Sequence, residues 1–292
     1  MPMKHPLTLL GIGLLLGLGA WVVVSATLSG ANTNSTQGKQ ASTTQGLAAS
    51  SPLATSGTST SAKTSAREYP YIEIVDSCGP YYQGTCVNMR SGPGTTYPVV
   101  LKLRTGVVLK VASTVTAADG TKWYKIAQDS EVRYPERIKS GWYVAARVSE
   151  LFYDDGDHRL DPGHTPKTNK RIVVNLKTNT LTAYDGNTLF MQAKISPGLD
   201  STPTPLGTFT VYKMTPSRYM QGPIEGVSDQ YYDLPGVPWN LYFTKDGAVI
   251  HGAYWHDHFG QPWSHGCINL SPTNSKKLYL WAQVGMTVTV KA

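Results

Sequence analysis

Cysteine is scarce, at three in 292 residues, which excludes a small scaffold held by disulfides. Charge is scarce as well. Charged residues make up 15% of the chain, against a usual share of roughly 25%. The 26 Lys+Arg and 19 Asp+Glu leave a formal net charge of +7, yet no dense basic stripe occurs. The electrostatic footprint of a nucleic-acid binder is therefore missing. There is no heptad run and no G-X-Y period, so the chain is not a fibre. No His-Glu-x-x-His and no Cys-x-x-Cys string occurs, so the common zinc motifs are absent. Aromatic residues are lacking from 30 to 68. What is present is a hydrophobic share of 40%, with 7 Trp and 17 Tyr, ample for real cores. The length suits about two ordinary domains.

Charge is unevenly placed. Residues 1–69 carry +3, residues 70–157 carry zero and residues 158–292 carry +4. A mild excess of this kind fits an exported protein working near an anionic polymer. A merely solvated surface with a few extra lysines is the alternative.

Lys4 precedes an apolar run from Leu7 to Val24, and no further charge occurs until Lys39. A run of about 18 residues can span a bilayer, whereas the core of a cleaved signal is about 7–15. Residues 1–29 are expected to be a transmembrane signal anchor, with the membrane as a partner. A cleaved signal peptide is the alternative, because Val24-Ser25-Ala26 offers a small-residue cleavage pattern. Either places the rest of the chain outside the cytoplasm, anchored to the cell membrane or secreted to the wall. Residues 30–69 are mostly Ser, Thr, Ala, Gly and Gln. They cannot bury enough apolar surface to offset ordering entropy and are expected to be a disordered tether.

From 70 to 152, short apolar stretches alternate with turns: Val87–Arg90, Val99–Leu103, Val107–Val111, Lys122–Ile126 and Gly141–Val144. Five such strands predict a small barrel. The string Val87-Asn88-Met89-Arg90-Ser91-Gly92-Pro93-Gly94 resembles the opening of bacterial SH3-like domains. Trp123-Tyr124-Lys125-Ile126 and Gly141-Trp142-Tyr143-Val144 continue the likeness, with residues 127–140 as an insertion. The resemblance implies a wall-targeting or packing module. Cys78 and Cys86 lie eight apart at its front. In an oxidising compartment they are a natural disulfide, worth roughly 2–3 kcal/mol by loop closure. Two independent buried thiols are the alternative. Residues 153–169 hold several acids, but no acid closes an EF-hand loop. They are expected to be a polar linker.

Pairing Cys78 with Cys86 leaves Cys267 odd. A leftover thiol in an exported protein is an intermolecular link or a reactive group. It sits in Ser264-His265-Gly266-Cys267-Ile268-Asn269, and the apparent strand Ala248–Ile250 leads to His251 and Gly252. A thiol needs a nearby base to react at neutral pH, and His251 and His265 both qualify. Backbone N–H groups around Gly266 and Cys267 can form an oxyanion hole. A structural thiol remains an alternative. So does zinc, suggested by the density of His251, His256, His258, His265 and Cys267.

The pattern His251-Gly252, twelve residues, then Ser264-His265-Gly266-Cys267-Ile268-Asn269 resembles the signature of L,D-transpeptidases of the YkuD family. The likeness extends over 170–292. It includes Arg171–Leu176 with Thr180–Tyr184, then Ile195-Ser196-Pro197-Gly198 and Thr204–Phe209. It implies that Cys267 is the nucleophile and His251 the general base and acid. It implies that the Gly252 carbonyl orients His251, and that His265, Gly266 and Cys267 form the oxyanion segment. Met214 to Trp239 would be a lid. Trp239, Tyr242, Ser264 and Asn269 would be substrate contacts. The family needs no metal and no organic cofactor, and its partner is the peptidoglycan stem peptide. The implied activity is cross-linking by acyl transfer. The alternatives are a carboxypeptidase on the same substrate, or a wall-binding protein with an inactive domain. An NlpC-type peptidase is disfavoured, because those place Cys before His along the chain.

Locally, Ser271-Pro272 can cap and open a helix, and Met286–Val290 alternates as a final strand. The expected fold is mostly β: an SH3-like barrel, then a β-rich catalytic domain with one clear helix, behind an N-terminal transmembrane helix.

Overall fold

The computed structural model describes residues 68–129, 132–161, 163 and 167–292. All of them fall in one unit spanning residues 62–292. The apolar run at 7–24 and the tether up to residue 67 lie outside the described residues. No helix among the described residues is long and apolar enough to cross a membrane. The expectation of an N-terminal transmembrane helix, with the membrane as a partner, is corrected accordingly.

The first module is a seven-stranded sheet. Its strands are β1 (Tyr69–Ile74), β2 (Val87–Arg90), β3 (Val99–Leu103), β4 (Val108–Thr116), β5 (Lys122–Ile126), β6 (Tyr143–Ala145) and β7 (Ser149–Asp154). Their order is β3-β2-β6-β5-β4-β1-β7. β2 alternates as its sequence does, with Val87 and Met89 buried and Asn88 and Arg90 half-buried. That period of two puts one face on the core. Cys78 and Cys86 are bonded to each other, and Cys267 is the free cysteine.

The second module holds ten strands: β8 (His158–Arg159), β9 (Lys170–Asn175), β10 (Thr180–Asp185), β11 (Thr188–Lys194), β12 (Gly207–Thr210), β13 (Lys213–Ile224), β14 (Ser228–Tyr242), β15 (Val249–Gly252), β16 (Ile268–Leu270) and β17 (Thr287–Lys291). They form two five-stranded sheets, ordered β11-β10-β9-β17-β12 and β16-β15-β14-β13-β8. The buried side chains of both sheets make one core, including Ile172, Leu181, Leu241, Ile250, Ile268 and Val288. Helix α1 (Pro272–Trp281) packs into that core through Leu278 and Tyr279. Ser271 caps it, accepting from the Asn274 N–H at 3.3 Å, with Pro272 at the first helical position.

The segment 153–169, expected as a linker, contributes the end of β7 and all of β8, which pairs with β13. Its acids have local partners: Asp154 accepts from the Tyr279 hydroxyl and contacts His158 at 3.0 Å. The two modules also share their interiors. Tyr71 and Val108 of the first belong to the core of the second. Tyr219, Val237 and Tyr254 of the second belong to the core of the first. The Ser217 hydroxyl donates to the Val108 carbonyl at 2.6 Å, and Lys276 pairs with Glu73 at 2.5 Å.

Candidate active site

β15 and β16 pair in parallel, with Ile250 opposite Ile268 and His251 opposite Asn269. Being register partners, His251 and Asn269 share one face of the sheet, and Cys267 immediately precedes β16. Between His265 and Cys267 the backbone turns at Gly266, whose φ of +107° suits a residue without Cβ. Ser264 fixes that turn. Its hydroxyl donates to the Cys267 carbonyl at 2.5 Å and accepts from the Gly266 N–H at 3.2 Å. The residues around the thiol are therefore bent, not extended.

His251 is buried, 1% exposed. Its Nδ1 lies 3.1 Å from the Gly252 carbonyl. A carbonyl only accepts, so Nδ1 carries the proton and Nε2 is left as a bare acceptor. That Nε2 is buried and has no hydrogen-bond partner. Burial pushes the His251 pKa down to about 3, against a smaller upward pull from the Gly252 bond. The ring is thus neutral at rest. Gly252 has a second reason to lack a side chain: a Cβ there would run into Ser275 Oγ and stand 2.8 Å from Pro238 Cγ.

Cys267 is half-buried, and its thiol donates to the Gly247 carbonyl at 3.8 Å. Burial pushes its pKa up, while the Arg218 charge and a backbone hydrogen bond from Val249 pull it down. The same Arg218 charge bears on His251. The resting pair is therefore a neutral thiol and a neutral imidazole.

Cys267 opens onto a cavity of ≈ 770 Å³. Ser264, His265, Gly266 and Asn269 line it with Cys267, so the structure brings these expected residues together. The His265 ring lies parallel to Tyr232, centroids 6.5 Å apart. Trp255, another lining residue, stands 5.8 Å from the His251 ring.

Trp239 and Tyr242 are not on the cavity wall. Trp239 is 1% exposed and packs against Phe152 and Tyr279. Its φ of +59° bends the strand there. Tyr242 ends β14 beside Tyr212, with the Lys213 ammonium 5.0 Å and the Arg218 guanidinium 5.5 Å from its ring centre. Both aromatics are packing residues. The side chains that do line the cavity, and that sequence reasoning missed, include Arg133, Arg218, Tyr232, Trp255 and Trp263. Arg218 and Tyr232 fell inside the expected lid, which is the β13–β14 hairpin, but nothing local marks which of its residues face inward.

The clustered histidines hold one another in place. The His258 N–H donates to His256 Nδ1 at 3.2 Å, so the His256 proton belongs on Nε2. Nε2 lies 2.9 Å from the Asn269 side-chain amide. An N–H there needs an oxygen, so the Asn269 amide is oriented with Oδ1 toward His256. Among the described residues, no group of three or more His, Cys, Asp or Glu is placed to hold a metal.

Residues 169–290 match the family model of the YkuD L,D-transpeptidase catalytic domain, and residues 83–131 match that of a bacterial SH3 domain. No curated protein matches the chain. Among solved structures, it is similar to an L,D-transpeptidase of Enterococcus faecium, with 25% identity and a TM-score of 0.39. That match covers 43% of this chain and spans half the length of the other. An L,D-transpeptidase from Mycobacterium smegmatis is similar at 25% identity, with a TM-score of 0.40, over 63% of this chain and 90% of that one. The catalytic domain of an E. faecium L,D-transpeptidase is similar at 27% identity, with a TM-score of 0.37, over 44% of this chain and 100% of that one.

Proposed function

We propose that this protein, which carries a YkuD L,D-transpeptidase catalytic domain behind a bacterial SH3 domain, is a cysteine-dependent peptidoglycan L,D-transpeptidase. One observation beyond the family match carries the reading. A free thiol lines the cavity just ahead of β16, whose partner strand β15 carries a buried imidazole with its basic nitrogen unpartnered.

In this reading the thiol hydrogen of Cys267 leaves the Gly247 carbonyl and passes to His251 Nε2 as sulfur attacks the stem-peptide carbonyl. Because both groups are neutral at rest, proton transfer accompanies attack. The C–N bond to the terminal D-amino acid breaks, and His251 returns the proton to the departing amine. An amine of a neighbouring stem then attacks the thioester and gives its proton to His251. The thiolate leaves and takes that proton back. The Gly266 N–H is engaged by Ser264, so the oxyanion would fall to the His265 and Cys267 amides. The Cys78–Cys86 bond fits an oxidising, extracytoplasmic setting at the cell wall. The SH3-like module would hold the enzyme there.

The test is mass spectrometry of muropeptides after incubation with the full chain. Wild type should give cross-linked dimers, and Cys267→Ser should give none, since a hydroxyl is a poor nucleophile beside so weak a base. Cross-linking by Cys267→Ser near the wild-type rate would overturn the reading. Trimmed monomers without dimers would assign a carboxypeptidase instead.

A further inference from the structure

The insertion in the SH3-like module, residues 127–140, reaches the catalytic cavity. Val132 and Arg133 line it together with Arg218, Tyr232 and Cys267. The placement of Arg133 is not left to a free loop. Its neighbour Tyr134 is held on both sides of its backbone by one buried side chain. The Tyr134 N–H donates to Gln221 Oε1 at 2.8 Å, and Gln221 Nε2 donates to the Tyr134 carbonyl at 3.2 Å. The Tyr134 hydroxyl donates to the Pro223 carbonyl at 2.8 Å, and Arg137 donates to the Gly222 carbonyl at 2.7 Å. Asp129 accepts from the Tyr219 N–H, and Asp233 pairs with Arg137 at 3.5 Å. The insertion and the β13–β14 hairpin are therefore clamped together beside the thiol.

Arg133 and Arg218 both line the space so enclosed. Neither Arg133 nor Arg218 has a carboxylate partner among the described residues. Among the described residues, the single acidic side chain on the cavity wall is Asp246, next to Gly247. Burial raises the pKa of the Tyr232 phenol, and both arginine charges pull it down. The two guanidinium groups thus act on one locus.

We propose that Arg133 of the SH3-like module and Arg218 of the hairpin form an anion subsite that holds a carboxylate of the donor peptide during acylation of Cys267. Arg is suited to this, because its planar fork can grip a carboxylate through two parallel hydrogen bonds. The SH3-like module is then part of the substrate site as well as a wall anchor. Arg133 is a specificity residue, and Gln221 is a positioning residue that acts through it. The inference rests on the peptide-transferring reading given above.

Kinetics with two synthetic stem tetrapeptides test it, one with free side-chain carboxylates and one with the same groups amidated. Titration of the reactive thiol in each preparation counts competent enzyme. Wild type should favour the free-carboxylate donor in kcat/KM. Arg133→Gln should lower kcat/KM for that donor roughly 10-fold, the scale of one charge-assisted contact near solvent. It should change the amidated donor little, and Arg133→Lys should recover part of the loss. Gln221→Leu should lose the same discrimination while its thiol still titrates fully. Added salt should narrow the wild-type preference. Equal losses on both donors, or no wild-type preference, would overturn the subsite while leaving the peptide-transfer reading intact. Turnover of both donors by Cys267→Ser would instead overturn that reading.

Discussion

Acid should destabilise this fold through two buried neutral imidazoles. Burial pushes the pKa of His251 to about 3 and that of His256 to about 4, from an ordinary value of 6.5. Both rings are 1% exposed in the folded chain. Between the folded and unfolded values, the unfolded chain binds more protons, so stability rises with pH there and is lost as pH falls. Working the linkage from pH 8 to pH 5, each ring removes about 2 kcal/mol, or about 4 kcal/mol together. That is a large part of the roughly 5–15 kcal/mol usual for a domain. His158 works in the other direction. Its hydrogen bond to Asp154 raises its pKa, so its contribution is present below the unfolded value and lost as pH rises through the folded one. Comparing variants cancels that term. The assay is urea unfolding of wild type, His251→Gln and His256→Gln, followed by tryptophan fluorescence at pH 8 and pH 5. The wild-type loss between the two should exceed that of each variant by about 2 kcal/mol. An equal loss in all three proteins would refute the reasoning.

Two further outcomes are expected. Gly252→Ala places a methyl group against Ser275 Oγ and Pro238 Cγ; it should cost about 1–3 kcal/mol by overpacking and slow transfer by shifting the carbonyl that holds His251, and an unchanged urea midpoint would contradict this. Alkylation of Cys267 by iodoacetamide should show no thiolate limb between pH 5 and 8, because burial raises the thiol and depresses the imidazole. A reactivity plateau with a midpoint near neutral pH would show an ion pair instead.

The sequence alone carried the local features. The alternation of Val87 and Met89 and the Ser271-Pro272 helix start depend on neighbours within a few residues, and both stand in the structure as their chemistry dictates. The odd cysteine among three, and the run around it, were legible for the same reason. The Gly252 carbonyl beside His251 was an expectation from the family resemblance, and it lies 3.1 Å from Nδ1.

Which side chains face the cavity was decided only by tertiary structure. Trp239 and Tyr242 lie in the stretch that the resemblance marked for substrate, yet the bend at Trp239 turns its ring into the core. Arg133 lies more than 80 residues before Arg218 in a different module, and only the docking of Tyr134 on Gln221 brings them to one wall. The charge states of the site are likewise tertiary, because burial, not residue type, keeps His251 neutral and holds the Cys267 thiol protonated. Short-range chemistry is written in adjacent residues. Desolvation and the convergence of distant side chains exist only once two modules share a core.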